Sequence, residues 1–316
     1  MGTRFGWEST SDQVLAGRDL RGKRIFVAGA SSVLDAEIIR ALVAHGADVI
    51  AADRDLEKAR AVTGEIAAAG PGSLELIHLD LGSLANVRSV ADSLIARGKP
   101  LDVIMADTGI VACPLGKTED GIETQFAINH IGYFVLINRL APLLRPGSRV
   151  VILSSPAHRM ADVDLDDPNF ERTPYDAWVS YGRSSTAKIL FGVELDRRLR
   201  DRGIRAAVAN PGAIRTELSK HVAPNVIENL ARKEDKNAVA EADFQWKSIP
   251  QGAATGLWGG FSADGEEVGG RYIEDCGVAE VVHDQGARGG VQAYAVDPER
   301  AKQLWALSER LVGESY

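Results

Sequence analysis

A chain of 316 residues with 45% hydrophobic and 25% charged side chains has ordinary globular composition, which excludes disordered, collagen-like and coiled-coil classes. Its 36 Lys+Arg against 44 Asp+Glu leave a net charge of -8, which argues against a nucleic-acid surface or a polybasic membrane patch. Thirty-two glycines against two cysteines make glycine placement the first question, because an α/β chain uses them in tight βα turns and phosphate-cradling loops.

Residues 1–20 read as an N-terminal arm, and the opening Met1-Gly2-Thr3-Arg4-Phe5 lacks the apolar stretch of a signal peptide. Residues 24–28 (RIFVA) form a β-branched run ending at Gly29 and are expected to be a buried strand. Helical spacing follows in Leu34, Ile38, Ile39, Leu42 and Val43. The alternation then repeats. Strands are expected at 48–52, 74–79, 101–106, 149–153 and 204–209, with helices at 56–69, 83–97, 119–144 and 178–202. Repeated βα units require right-handed crossovers, so the fold class is α/β: a Rossmann-type, doubly wound parallel sheet in three α/β/α layers. The main domain is expected over 21–275. Within it, the polar stretch 213–250 reads as a lid-like insertion. Residues 276–316 read as a C-terminal extension whose amphipathic helix carries Ala301, Leu304, Trp305 and Leu311 on one face. No apolar run approaches the roughly 18 residues that span a bilayer. Cys113 and Cys276 are far apart and outside any Cys/His cluster, so no metal site and a reducing, cytoplasmic setting are expected.

A set of local signatures recurs in one order. Gly29-Ala30-Ser31-Ser32 ends the first strand, Asp80-Leu81 follows the third, and Asn129-His130-Ile131-Gly132 lies in the long helix. Ser154-Ser155 closes the fifth strand, Tyr181-Gly182-Arg183-Ser184 lies in the next helix, and Asn210-Pro211-Gly212 with Thr216 follows the sixth strand. Over about residues 20–275 this resembles the short-chain dehydrogenase/reductase family, nearest its retinol-dehydrogenase-like bacterial branch. The resemblance implies that Tyr181 exchanges a proton with a substrate carbonyl or hydroxyl, that Ser155 hydrogen-bonds the same oxygen, and that Asn129 supports a water relay. It also implies Asp80 at adenine, Asp53 at the ribose hydroxyls, and Pro211, Gly212 and Thr216 beside a nicotinamide. It implies a homo-oligomer, a dimer or tetramer.

Three departures touch the cofactor. The family motif T-G-x-x-x-G-x-G reads Ala28, Gly29, Val33 and Asp35 here, so one of three glycines survives. Ser32 to Asp35 spells a capping box, which would satisfy the helix N-terminus internally and put a carboxylate where a phosphate belongs. After strand four the family's N-N-A-G reads Ala106-Asp107-Thr108-Gly109. Asp107 is either a turn residue or a functional acid. The family's Lys four residues after the Tyr is Ser185, and Lys188 stands one turn further, displaced by about 5 Å along the axis.

These departures lead to the expectation of a chain that has given up the nicotinamide cofactor and kept the substrate pocket. Gly29, Asp53 and Asp80 are then vestigial. The expected chemistry is non-redox acid/base work on a hydrophobic small molecule: cyclisation, dehydration, isomerisation or C–C cleavage. Ser155 and Tyr181 would polarise an oxygen, Asn129 would assist, and Asp107 or Asp35 would act as base. One alternative is an NAD-dependent oxidoreductase with a distorted site, in which Asp53 disfavours a 2′-phosphate. A second is an inactive binding subunit. His130 and His158 read as structural, because nothing is spaced to partner them.

Overall fold

The computed structural model describes residues 5–66, 70–214, 246–284 and 289–316. The expected strands form one sheet: β1 (Arg24–Ala28), β2 (Asp48–Asp53), β3 (Ser73–His78), β4 (Leu101–Ala106), β5 (Leu144–Leu153), β6 (Arg205–Asn210), β7 (Tyr272–Glu274) and β8 (Gly277–Val278). Their order is β3-β2-β1-β4-β5-β6-β7-β8. The pairs from β3 through β7 are parallel, and β8 closes the edge antiparallel to β7. The order reverses between β1 and β4, which opens a crevice at the carboxyl ends of the strands.

The central strands are buried on both faces, which is why they read as continuous apolar runs. Phe26, Ala28, Ile104 and Ala106 join the core under α4 (Leu84–Ala96), α6 (Gly132–Leu140) and α7 (Ala177–Leu199). Their alternates Ile25, Val27, Val103 and Met105 join the core under α1 (Ser11–Leu15), α2 (Val33–Ala44) and α8 (Ile249–Leu257). This is the three-layer Rossmann-type architecture. The short helices α3 (Leu56–Thr63), α5 (Thr124–Phe126) and α9 (Gly265–Val268) complete the connections, and α10 (Pro298–Val312) packs on α7. No helix among the described residues is long and apolar enough to cross a membrane.

Two elements differ from the sequence expectation. The helix expected over 119–144 starts only at Thr124 and passes through a π-helical turn, Ala127–Ile131, before α6. The stretch expected to stay irregular to residue 250 instead begins α8. Ser248 and Gln251 form its capping box, and Pro250 sits in its first turn, where a missing N–H costs nothing. Residues 215–245 of the expected lid, Thr216 among them, lie outside the described residues.

Candidate active site

The crevice begins at the turn after β1. Gly29 has φ +130°, which an L side chain rarely adopts, and a Cβ there would lie 2.5 Å from Asp35 Oδ1 and 2.7 Å from Thr108 Oγ1. The capping box at the start of α2 forms as expected. Asp35 N–H donates to Ser32 Oγ at 3.0 Å, and Ser32 N–H donates to Asp35 Oδ2 at 2.8 Å. The carboxyl group does not face outward, however. Asp35 is 4% exposed and turns in beneath Gly29. The N–H groups of Val33 and Leu34, the first two of the helix, have no acceptor among the described residues. Asp53 ties the turn to the end of β2, accepting Ala30 N–H at 3.0 Å and Asp55 N–H at 2.9 Å. Asp80 shapes its own turn, accepting Gly82 N–H at 2.8 Å.

Asp107 lies across the crevice floor from Asp35. Its N–H and that of Thr108 both donate to Ala28 O, at 3.0 and 2.9 Å, locking the end of β4 to β1. The Asp35 and Asp107 side chains hydrogen-bond each other, and burial pushes both carboxyl groups above the usual carboxylate range. Asp35's charge drives Asp107 further up, while Lys188 opposes the rise. Lys188 is 7% exposed and extends its Nζ to within 3.5 Å of Thr108 O, a carbonyl that also accepts Tyr133 O–H at 2.8 Å. Burial lowers the Lys188 ammonium to about 8.

The substrate-facing residues stand at the ends of β5 and α7. Ser155 Oγ accepts Ala157 N–H at 3.1 Å, which leaves its own O–H free to donate outward. The Ser155 and Ser185 hydroxyls lie against the Tyr181 phenol, yet burial holds that phenol above its ordinary value of 10. Ser185 Oγ donates to the Tyr181 carbonyl at 2.9 Å, so the position four residues on carries a back-bonded hydroxyl and no cation. Asn129 projects from the π-helical turn, a device that re-aims a helical side chain. Its Oδ1 accepts Ile110 N–H at 2.9 Å, and its Nδ2 donates to Ile110 O and Ser184 Oγ, each at 2.9 Å. Asn129 thus pins the loop after β4 to α7.

Arg183 faces away from the site, over the Phe170 ring at 4.2 Å, as its spacing from Tyr181 implied. Both histidines are structural. His130 is buried among Phe126, Phe134 and Phe191, and His158 has backbone partners on both ring nitrogens. No cluster of metal-binding side chains occurs among the described residues. Sequence reasoning missed Lys247, which packs under Gly212 (φ +79°) and pairs with Asp275 at 2.5 Å while its side chain stays 3% exposed. It lies inside the stretch taken for a lid, where no periodicity distinguished it.

Comparison with known proteins places the chain. The short chain dehydrogenase family matches residues 23–226. A Streptomyces lividans protein named "Probable oxidoreductase" is 41% identical over 291 residues, covering 91% of this chain and 96% of that one. Human (Homo sapiens) retinol dehydrogenase 14 is 35% identical over 311 residues, covering 93% and 87%. The crystal structure of an uncharacterized protein from Mycobacterium Paratuberculosis is 30% identical with TM-score 0.73, covering 96% of this chain and 98% of that chain.

These findings overturn the expectation of a non-redox, cofactor-free enzyme, because kinship with dehydrogenases runs along nearly the whole chain. The geometry supplies the physical reason. Asp35 was expected to meet a dinucleotide as an exposed negative charge. It is turned inward beneath the turn, where it shares a hydrogen bond with Asp107, while two N–H groups of the helix start remain open. The backbone cradle therefore fits a dinucleotide, narrowed at its rim by the exposed Val33 side chain.

Proposed function

The chain belongs to the short-chain dehydrogenase/reductase family, in its retinol-dehydrogenase-like branch, and from that premise we propose that it is an oxidoreductase interconverting a carbonyl and a hydroxyl on a hydrophobic small molecule with a nicotinamide dinucleotide. The observation that carries the reading is the pairing of Ser155 and Tyr181 at the carboxyl end of the sheet, beside the Gly29 turn. The bound dinucleotide supplies or accepts the hydride. The Gly29 turn and the open N–H groups of Val33 and Leu34 would hold its pyrophosphate. Asp53 retains lone pairs for ribose hydroxyls and would repel a 2′-phosphate, which supports NAD over NADP.

The chain's own residues handle the oxygen. Ser155 O–H donates one hydrogen bond to it, and Tyr181 O–H donates the second along with the proton. Together they stabilise the negative charge that develops there. No cation stands one turn after Tyr181, and burial raises its phenol. At neutral pH Tyr181 is therefore an acid ready to give a proton, which favours carbonyl reduction. Asn129 holds the floor of the site through Ile110 and Ser184. The ligand in this reading is a small molecule, and the chain associates as a homo-oligomer, which light scattering would check.

The test is to titrate NADH and NADPH by quenching of tryptophan fluorescence. Dinucleotide oxidation is then followed against a panel of hydrophobic aldehydes and ketones. The reading expects NADH to bind more tightly and at least one carbonyl compound to be reduced. Failure of both dinucleotides to bind overturns it.

A further inference from the structure

Beneath the Gly29 turn lie two carboxyl groups and one ammonium group that the chemistry above leaves unused. Asp35 comes from the first turn of α2, Asp107 from the end of β4 and Lys188 from the middle of α7. The two carboxyl groups hydrogen-bond each other. Two carboxylates offer only acceptors, so one of them carries the proton. Asp35 already accepts Ser32 N–H, whereas Asp107 Oδ2 is buried with no partner among the described residues. A buried oxygen in that condition belongs either to a neutral acid or to a carboxylate with a nearby counter-charge.

The surrounding groups narrow the choice. Asp53, on β2, adds like charge against Asp35. Tyr133, on α6, is neutral and gives its proton to Thr108 O. Lys188 is the one cation whose charge reaches Asp107. Its Nζ makes no salt bridge among the described residues and sits 3.5 Å from Thr108 O, next in sequence to Asp107.

We propose that Asp35 and Asp107 hold one proton between them and that Lys188 is the counter-ion of the remaining negative charge. The floor of the crevice is then neutral as a unit, and that neutrality lets a dinucleotide settle above it. Lys188 is a positioning residue: it acts on the carboxyl pair and not on the reacting atoms. The coupling to dinucleotide binding rests on the proposed function. The proton sharing does not. Three departures from the family pattern become one device. The acids at 35 and 107 and the lysine at 188 add to zero charge once the shared proton is counted.

Two measurements test this independently. Infrared spectra of the unliganded protein near neutral pH should contain the carbonyl stretch of a buried protonated carboxylic acid. The band should be lost in Asp35→Asn and in Asp107→Asn. Its absence from the wild-type protein, or its survival in either folded variant, overturns the shared proton. Calorimetry of NADH binding, run in two buffers of different ionisation enthalpy, reads the counter-ion. The wild-type chain should bind without net proton uptake. Lys188→Met should take up about one proton on binding and bind on the order of tenfold more weakly, because the pair's charge is then unbalanced within a Debye length of the ligand. Lys188→Met with Asp107→Asn should restore both readings. Identical affinity and proton count in the wild-type chain and Lys188→Met overturn the counter-ion role. Absence of any binding by the wild-type chain removes the proposed function and the coupling with it, while the infrared band alone decides the shared proton.

Discussion

His158 donates its Nδ1–H to the carbonyl of Ser155 at 2.8 Å, and its Nε2 accepts the N–H of Gln292 at 3.3 Å. A neutral ring in one tautomer thus fastens Ser155 to the C-terminal segment. Burial lowers His158 to about 4 and His130 to about 3, both below the ordinary 6.5. Between those values the unfolded chain binds protons that the folded chain refuses. The stabilisation from neutral rings is complete above pH 6.5 and is lost as pH falls from there toward 4. Each ring should cost about 1.4 kcal/mol of stability per pH unit through that window. Urea denaturation at about pH 7.5 and about pH 5.5 measures the loss, and His130→Leu should roughly halve the slope between them.

Tyr181→Phe should reduce turnover by roughly 10²–10⁴-fold while leaving dinucleotide binding intact, because it removes the proton donor and keeps the ring. In the wild-type enzyme the reduction rate should stay flat through neutral pH. The oxidation rate should climb as pH rises toward the elevated phenol value, since the base form is scarce below it. Stopped-flow rates in both directions across pH check the asymmetry. An oxidation rate that levels off below neutrality would reassign the base.

Asn129→Ala should destabilise the fold by about 2–4 kcal/mol, because it strands Ile110 N–H and O and the Ser184 hydroxyl in a largely buried setting. The loss should appear in Tm and also in KM, since the loop carrying Asp107 to Ile110 is released.

Gly29→Ala should cost more than about 2 kcal/mol, from the backbone conformation and from a Cβ placed 2.5 Å from Asp35 Oδ1. If the variant folds, NADH binding should fall with stability. Wild-type affinity in a folded Gly29→Ala chain would mean that the turn does not hold the pyrophosphate.

Asp275→Asn should destabilise by about 2–4 kcal/mol, since it leaves the Lys247 ammonium buried without its partner. Lys247→Met together with Asp275→Asn should recover much of that loss. Denaturation midpoints of the single and double variants close the cycle.

The strands and their order were legible because buried parallel strands must be apolar on both faces, and RIFVA or LDVIMA leaves no other reading. The capping box was legible because Ser and Asp three apart form a local motif. Which way its carboxylate turns was not, because that depends on what lies under the turn, and Asp107 is more than seventy residues away. The helix α8 was hidden by its own glycines. Gly252 and Gly256 read as breakers, but a Cβ at Gly252 would lie 2.0 Å from Ile214 Cδ1, so the small residues serve close packing. Ser155 and Tyr181 were found by motif, and Lys188 was seen but could not be placed. Its reach to Thr108 follows from the packing of α7 across the sheet, which one helix cannot specify.

The π-helical turn at Ala127–Ile131 makes the site sensitive to chain length as well as to composition. A wide turn holds one residue more than a regular one. Removing any single residue there would regularise the helix and rotate everything beyond it by about 100° relative to what precedes it. Asn129 would swing off Ile110, and Phe134 would leave its aromatic neighbours, with almost no change in amino-acid content. Substitutions can tune this segment, but a one-residue deletion would put the two halves of the helix out of phase.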